Sequence, residues 1–141
     1  MKISLLLLIS GLFVVSYCAT FNTNQGIVIT TDASLDLAKR AWRHLLVNFD
    51  AGCPWCRNFR PFYLAAYKQA KVSKYDATFA QLDLKTNLQT KTKYLIAHHP
   101  TQLLFVRFDP GSPYEYKGTK NMTGLLAWLK QKLAEVKKKG Y

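Results

Sequence analysis

The chain has 141 residues, 49% of them hydrophobic, with 20 Lys and Arg against 8 Asp and Glu, a formal charge of +12. That length favours a single domain, and the basic balance excludes an acidic, self-solvating chain while leaving acidic proteins, anionic membranes or nucleic acid as attracted partners. Three cysteines are too few for a secreted scaffold laced by disulfides, which spreads four or more along its length.

Residues 1–18, "MKISLLLLISGLFVVSYC", put Lys2 ahead of an apolar run from Leu5 to Val15, followed by small residues. This is the layout of a secretory signal peptide. The run is shorter than the roughly 20 apolar residues needed to span a bilayer, so cleavage near Cys18 is expected, with no transmembrane anchor afterwards. The expected division is a signal peptide at 1–18 and one domain at 19–141 ending in the basic tail "KQKLAEVKKKGY". About 120 residues then remain, enough for one hydrophobic core. Cleavage also removes Lys2 and Cys18, leaving Cys53 and Cys56 as the remaining cysteines.

Along the domain, "GIVIT" (Gly26–Thr30) is a β-branched run that reads as a strand. "TDASLDLAKRAWRH" opens on capping residues and spaces Leu35, Ala38, Trp42 and Leu45 as on a helix. "LLVNF" (Leu45–Phe49) suits a buried central strand. A helical pattern follows, with Cys56, Phe59, Tyr63, Ala66 and Tyr67 on one face and Pro61 expected to kink it. Next come a strand at Thr78–Leu84, a short helix through "NLQTKTKYL", and two strands, Gln102–Phe108 and Tyr114–Gly118, joined by "DPGSP". The final helix lines up Leu125, Trp128, Leu129, Leu133 and Val136 as a core stripe. The order is βαβαβαββα, an α/β layered architecture with the cysteine pair at a strand-to-helix junction.

Cys53-Pro54-Trp55-Cys56 could hold a metal, staple the chain, or cycle between dithiol and disulfide. The loop it closes is too short to stabilise a domain through chain entropy. A zinc set would need His98 and His99 as well. Structural zinc sites space their histidines by three to five residues, and adjacent ones entering a strand face opposite ways, so no metal is expected. A Cys-x-x-Cys beside a βαβ pattern reads as a redox motif. A cysteine at the start of a helix is held as thiolate by unpaired backbone N–H groups and the helix dipole. Pro54 suits the first turn, and Arg57 and Arg60 add positive charge. Asn121-Met122-Thr123 is a glycosylation acceptor pattern. Asn121 or Thr119 would equally serve there as a helix cap.

"LLVNFDAGCPWCRNFRP", "LIAHHPTQLLFVRF" and "YEYKGTKNMTGLLAWLKQKL" together resemble the catalytic domain of the protein disulfide isomerase family. The resemblance runs over about residues 27–137 and implies a thioredoxin fold, a central mixed β-sheet flanked by helices. It further implies Cys53 as the attacking thiol and Cys56 as the resolving one, with no cofactor beyond their disulfide. Pro100 matches the family's cis proline opposite the active site. Trp55, His99 and Pro100 are therefore the expected contacts to a protein substrate, and Arg57 and His99 the residues tuning the thiolate, His99 as imidazolium. Two departures stand out. Asn48 takes the place of a buried carboxylate that helps proton transfer at the second cysteine, with Asp50 two residues on. The approach to the motif is also one residue short, so a rival alignment matches Cys56 alone, whereas Pro61, five residues after Cys56, favours keeping Cys53 as nucleophile.

The function implied is thiol–disulfide exchange or isomerisation on cysteines of secreted or folding proteins, by a monomer in the endoplasmic reticulum lumen or outside the cell. Rival readings are a glutaredoxin-like, glutathione-dependent reductase and a secreted binding protein with the fold but little turnover. The lysines form no recognised nucleic-acid module, so no nucleic acid is expected, and the basic surface is suited to acidic partners. The C-terminal "KKKGY" is not a lumenal retention signal of the Lys-Asp-Glu-Leu type.

Overall fold

A computed structural model describes residues 20–141, so the expected signal peptide lies outside the described residues. The chain runs β1 (Thr23–Asn24), β2 (Ile27–Thr30), α1 (Leu35–Ala41), β3 (His44–Asp50), α2 (Pro54–Val72), β4 (Thr78–Asp83), α3 (Leu88–Lys93), β5 (Thr101–Val106), β6 (Tyr114–Glu115) and α4 (Met122–Lys138). The strands form one mixed sheet in the order β1-β2-β4-β3-β5-β6. β4 lies parallel to both β2 and β3, and the remaining pairs are antiparallel. This is the α/β thioredoxin fold expected from the sequence, with one addition: β1 precedes the anticipated first strand. It pairs back on β2 through a turn in which Gln25 and Gly26 both have positive φ (52° and 89°). Gly26 is required there, because a Cβ would collide with the Tyr67 hydroxyl.

Each face of the sheet carries its own apolar cluster. On one side, Leu46, Phe79 and Leu104 of the sheet pack against Phe59, Tyr63, Ala66 and Ala70 of α2 and Leu125, Leu129 and Val136 of α4. On the other, Leu45, Val47, Phe49 and Phe105 meet Leu35 and Ala38 of α1. This is period-2 alternation sorting neighbouring residues to opposite layers. Fully burying one such side chain is worth about 1.5–3 kcal/mol. Tyr63 is buried with its hydroxyl shared between the Leu46 and Ala80 carbonyls (2.9 and 2.7 Å), which ties α2 to the two central strands.

Leu45 does not continue the α1 stripe. The helix ends at Ala41 and is capped by Trp42, and Leu45 belongs to β3, fully buried on the α1 face. Pro61 sits inside α2 without ending it. The β5 and β6 strands stop at Val106 and Glu115, short of the expected Phe108 and Gly118. Phe108 instead has positive φ (67°) and stands 84% exposed in the turn.

Candidate active site

The cysteine pair sits where β3 hands over to α2. Gly52 takes φ +71°, a region that favours glycine, and turns the chain out of the sheet into the helix. Cys53 is then the N-cap in extended conformation, with Pro54 in the first helical turn, where a missing N–H costs nothing. Cys53 and Cys56 are joined as a disulfide. The Cys53 sulfur accepts the Cys56 backbone N–H at 3.1 Å, and the Cys56 sulfur accepts the Ala51 N–H at 3.5 Å. Cys56 is fully buried, whereas Cys53 is partly exposed. The donor at the cap and the helix dipole both favour negative charge on the Cys53 sulfur.

Facing the pair is the loop before β5, with a cis peptide between His99 and Pro100. The His99 carbonyl oxygen lies 4.0 Å from the Cys53 sulfur, and Pro100 is buried. The Thr101 hydroxyl donates to the His98 carbonyl and holds the loop. Sequence reasoning thus placed His99 beside Cys53, and the structure brings its backbone carbonyl there. Burial, then the charges of Lys91 and His98, hold the imidazole pKa below its ordinary value. With Cys53 and Cys56 joined as a disulfide, the ring is therefore mainly neutral near pH 7.

The two arginines differ. Arg57 is exposed, donates from Nη1 to the Gly52 carbonyl at 2.8 Å, and meets no carboxylate among the described residues. Arg60 makes a two-pronged pair with Asp50, its Nη2 2.9 Å from Oδ1. Asp50 also accepts the Gly52 N–H at 2.7 Å. Burial raises its pKa, but the Arg60 and Gly52 hydrogen bonds outweigh that and hold the carboxyl below its ordinary value. Asp50 is thus an ionised brace for the turn, and the positive charge expected from Arg60 is largely matched by it.

Beneath α2, Asn48 is buried (2% exposed) on the same face of β3 as Leu46. Its Oδ1 accepts from Gln102 Nε2 at 2.8 Å, and Gln102 Oε1 accepts from Lys120 Nζ at 2.6 Å. Gln102 is completely buried, and burial pushes the Lys120 pKa down. Sequence reasoning missed Gln102 and Lys120. The available signal was a glutamine opening the apolar run "QLLFV", a polar residue in a strand buried on both faces.

Trp55 is 75% exposed in the first turn of α2, presenting its ring to solvent. Asn121 is the N-cap of α4, its Oδ1 accepting the Gly124 N–H at 2.7 Å. Among the described residues, no three of His, Cys, Asp and Glu gather in a group able to hold a metal ion.

The thioredoxin family model matches residues 27–131, which takes in the whole sheet from β2 onward, the cysteine pair and the Pro100 loop. The chain belongs to the thioredoxin family. Members with a Cys-x-x-Cys at the head of a helix run thiol–disulfide exchange. Among curated proteins, the chain is 28% identical over 111 residues to Protein disulfide-isomerase of Gallus gallus. It is 27% identical over 112 residues to human Protein disulfide-isomerase A2. Each match covers 77% of this chain but 21% of the relative, so the chain spans about a fifth of their length. Among solved structures, the first thioredoxin domain of mouse Protein disulfide-isomerase A4 superposes with a TM-score of 0.70 at 18% identity, over 81% of this chain and 80% of that one. The zinc-bound form of human ERp44 gives 0.66 at 22% identity, over 74% of this chain and 30% of that one. These two likenesses support the fold.

Proposed function

We propose that this protein is a thiol–disulfide oxidoreductase of the disulfide isomerase kind, acting on cysteines of secreted or folding proteins. The observation that carries the reading is a disulfide at the head of α2 with one accessible and one buried sulfur. In the oxidising direction a substrate thiolate attacks Cys53 Sγ, the Cys53–Cys56 bond breaks, and Cys56 leaves as a thiolate that takes up a proton. A second substrate thiolate then attacks the substrate sulfur of the mixed disulfide. Cys53 leaves as a thiolate, stabilised by the Cys56 N–H and the helix dipole. The substrate gives up two electrons and the pair becomes a dithiol; the reverse sequence reduces a substrate disulfide. Isomerisation is one attack by the Cys53 thiolate followed by its release.

In this reading Trp55, the His99 backbone and Pro100 contact the substrate chain, and Arg57 fixes the turn that presents Cys53. No cofactor is needed beyond the dithiol itself. The disulfide isomerase relatives support a secretory-pathway setting, in the endoplasmic reticulum lumen or outside the cell, after loss of a signal peptide at 1–18. The remaining domain acts as a monomer, its basic surface available to acidic partners and without a nucleic-acid role. Among the described residues no helix is long and apolar enough to cross a membrane. The Asn121 cap uses Oδ1 and leaves Nδ2, the atom a glycan takes, so capping and glycosylation at Asn121 are compatible.

The test is recovery of a scrambled-disulfide substrate by the purified domain in a glutathione buffer. Recovery of native substrate above the buffer rate, dependent on Cys53, is expected. Recovery equal to buffer alone would leave a thioredoxin-fold binding protein. Activity with glutathione that vanishes when dithiothreitol replaces it would indicate a glutaredoxin-like reductase.

A further inference from the structure

Behind the first two turns of α2 lies a cavity of about 340 Å³ whose polar lining comes from Arg57, Arg60, Asn24, Gln25, Asn48 and Gln81. No Asp or Glu lines it. Arg60 is held by Asp50, but Arg57 has no acidic partner among the described residues, so a net positive charge faces the space. Asn24, Gln25 and both arginines are exposed, so the cavity opens to the surface at the base of the active-site helix.

The inner wall is more informative, because its polarity is imposed. A lysine ammonium can only donate. Lys120 Nζ therefore claims Gln102 Oε1, which turns Gln102 Nε2 towards Asn48. Asn48 answers with Oδ1, and its Nδ2 is left as the free end of the row. Asn48 is 2% exposed and lines the cavity, and its Nδ2 has no protein acceptor among the described residues. Next to it in the β3–β4 register stands Gln81, another cavity residue whose side-chain amide has no protein partner among the described residues. Two side-chain amides whose donors no protein group claims, opening on a cavity beside a guanidinium that no carboxylate pairs, suit an anion with acceptor oxygens.

We propose that this cavity is a carboxylate-binding pocket, receiving an acidic group carried by a peptide substrate or a small free carboxylate. Its mouth is formed partly by Arg57, the residue after Cys56, so a bound acidic side chain would hold its peptide beside the disulfide. That use rests on the exchange activity proposed above; the pocket's affinity does not.

The oxidised protein is titrated with acetate, and with chloride at equal ionic strength, while the side-chain amide signals of Asn48 and Gln81 are followed by NMR. Saturable shifts with acetate, absent with chloride, are expected. Gln81→Glu, which puts a like charge in the pocket, is expected to weaken the effect about tenfold or more. Gln81→Leu, which removes one donor without adding charge, supplies the same reading should the first variant fail to fold. Cysteine peptides with Glu or Gln near the thiol then distinguish the sources. Faster mixed-disulfide formation by the Glu peptide, lost on Gln81→Glu, assigns the pocket to substrate. Equal peptide rates with acetate still bound assign it to a free carboxylate. Shifts that do not saturate, that chloride reproduces, or that survive both Gln81 variants overturn the pocket. Because the NMR arm needs no turnover, an inactive protein that binds acetate would count against the exchange reading alone.

Discussion

Two helices of this domain begin the same way and do different work. At α2 the Cys53 side chain accepts the N–H of Cys56 three residues on (3.1 Å); at α4 the Asn121 side chain accepts the N–H of Gly124, also three residues on (2.7 Å). Both satisfy a backbone donor that a helix start leaves open. The difference lies in what surrounds the capping atom. Asn121 caps a helix whose N3 position is a glycine packed against the Tyr116 hydroxyl. Cys53 caps one whose N3 position is its own redox partner, under a loop that brings the His99 carbonyl within 4.0 Å. One geometry thus stabilises a helix in one place, and in the other stabilises a leaving thiolate.

The sharpest way to separate the two roles is Cys53→Ser. Serine is a good N-cap, so the unfolding free energy should stay within about 0.5 kcal/mol of the reduced wild type, while turnover of a disulfide substrate should vanish. Turnover surviving the substitution would shift the nucleophile to Cys56, as the rival alignment has it. Cys56→Ala leaves the cap and the attacking thiol but removes the resolving one. Mixed disulfides with substrate should then accumulate on non-reducing gels, while multiple turnover falls. At the other helix, Asn121→Ala should cost about 1 kcal/mol of stability and leave turnover unchanged in unglycosylated protein. If Asn121 carries a glycan, the same variant made through a secretory route will also lose the corresponding mass.

The smallest expected effect is that of Asp50→Asn, beside the first cap. The Asp50 carboxyl is held below its ordinary pKa, so its contribution to stability is present above about pH 4 and is lost as pH falls through the lower folded value. The Asn variant should lack that acid limb, with a difference at neutral pH of about 1 kcal/mol or less, as for partly solvated pairs. Thermal unfolding followed from pH 7 down to pH 3 measures it. A variant whose curve runs parallel to the wild type throughout would show that Asp50 does not brace the turn.

What could be read from the sequence divides along the same line. Cys53, Pro54 and Cys56 were legible because their chemistry is local: a cap, a first-turn proline and a partner one turn on are fixed by spacing alone. The Pro100 loop was legible through resemblance, which also implied a part for the His99 backbone, and the His99 carbonyl lies 4.0 Å from the Cys53 sulfur. Leu45 was claimed by two overlapping patterns, and only its place in the sheet decided between them. The Thr23–Asn24 strand has two residues and no apolar signature, so nothing local announced it. The Asn48–Gln102–Lys120 row joins residues 54 and 18 positions apart, and it exists only because β5 lies against β3 and the chain after β6 returns beneath it. Contacts of that kind are products of topology.

The central claim is that the pair at the head of α2 is a reversible couple, and the most direct test is its reduction potential. The purified domain would be equilibrated in glutathione and dithiothreitol buffers and its free thiols counted. A potential between about −120 and −270 mV, the span of thioredoxin-fold oxidoreductases, is the result expected. A value below about −300 mV, typical of structural disulfides, would mean a locked bond and contradict it.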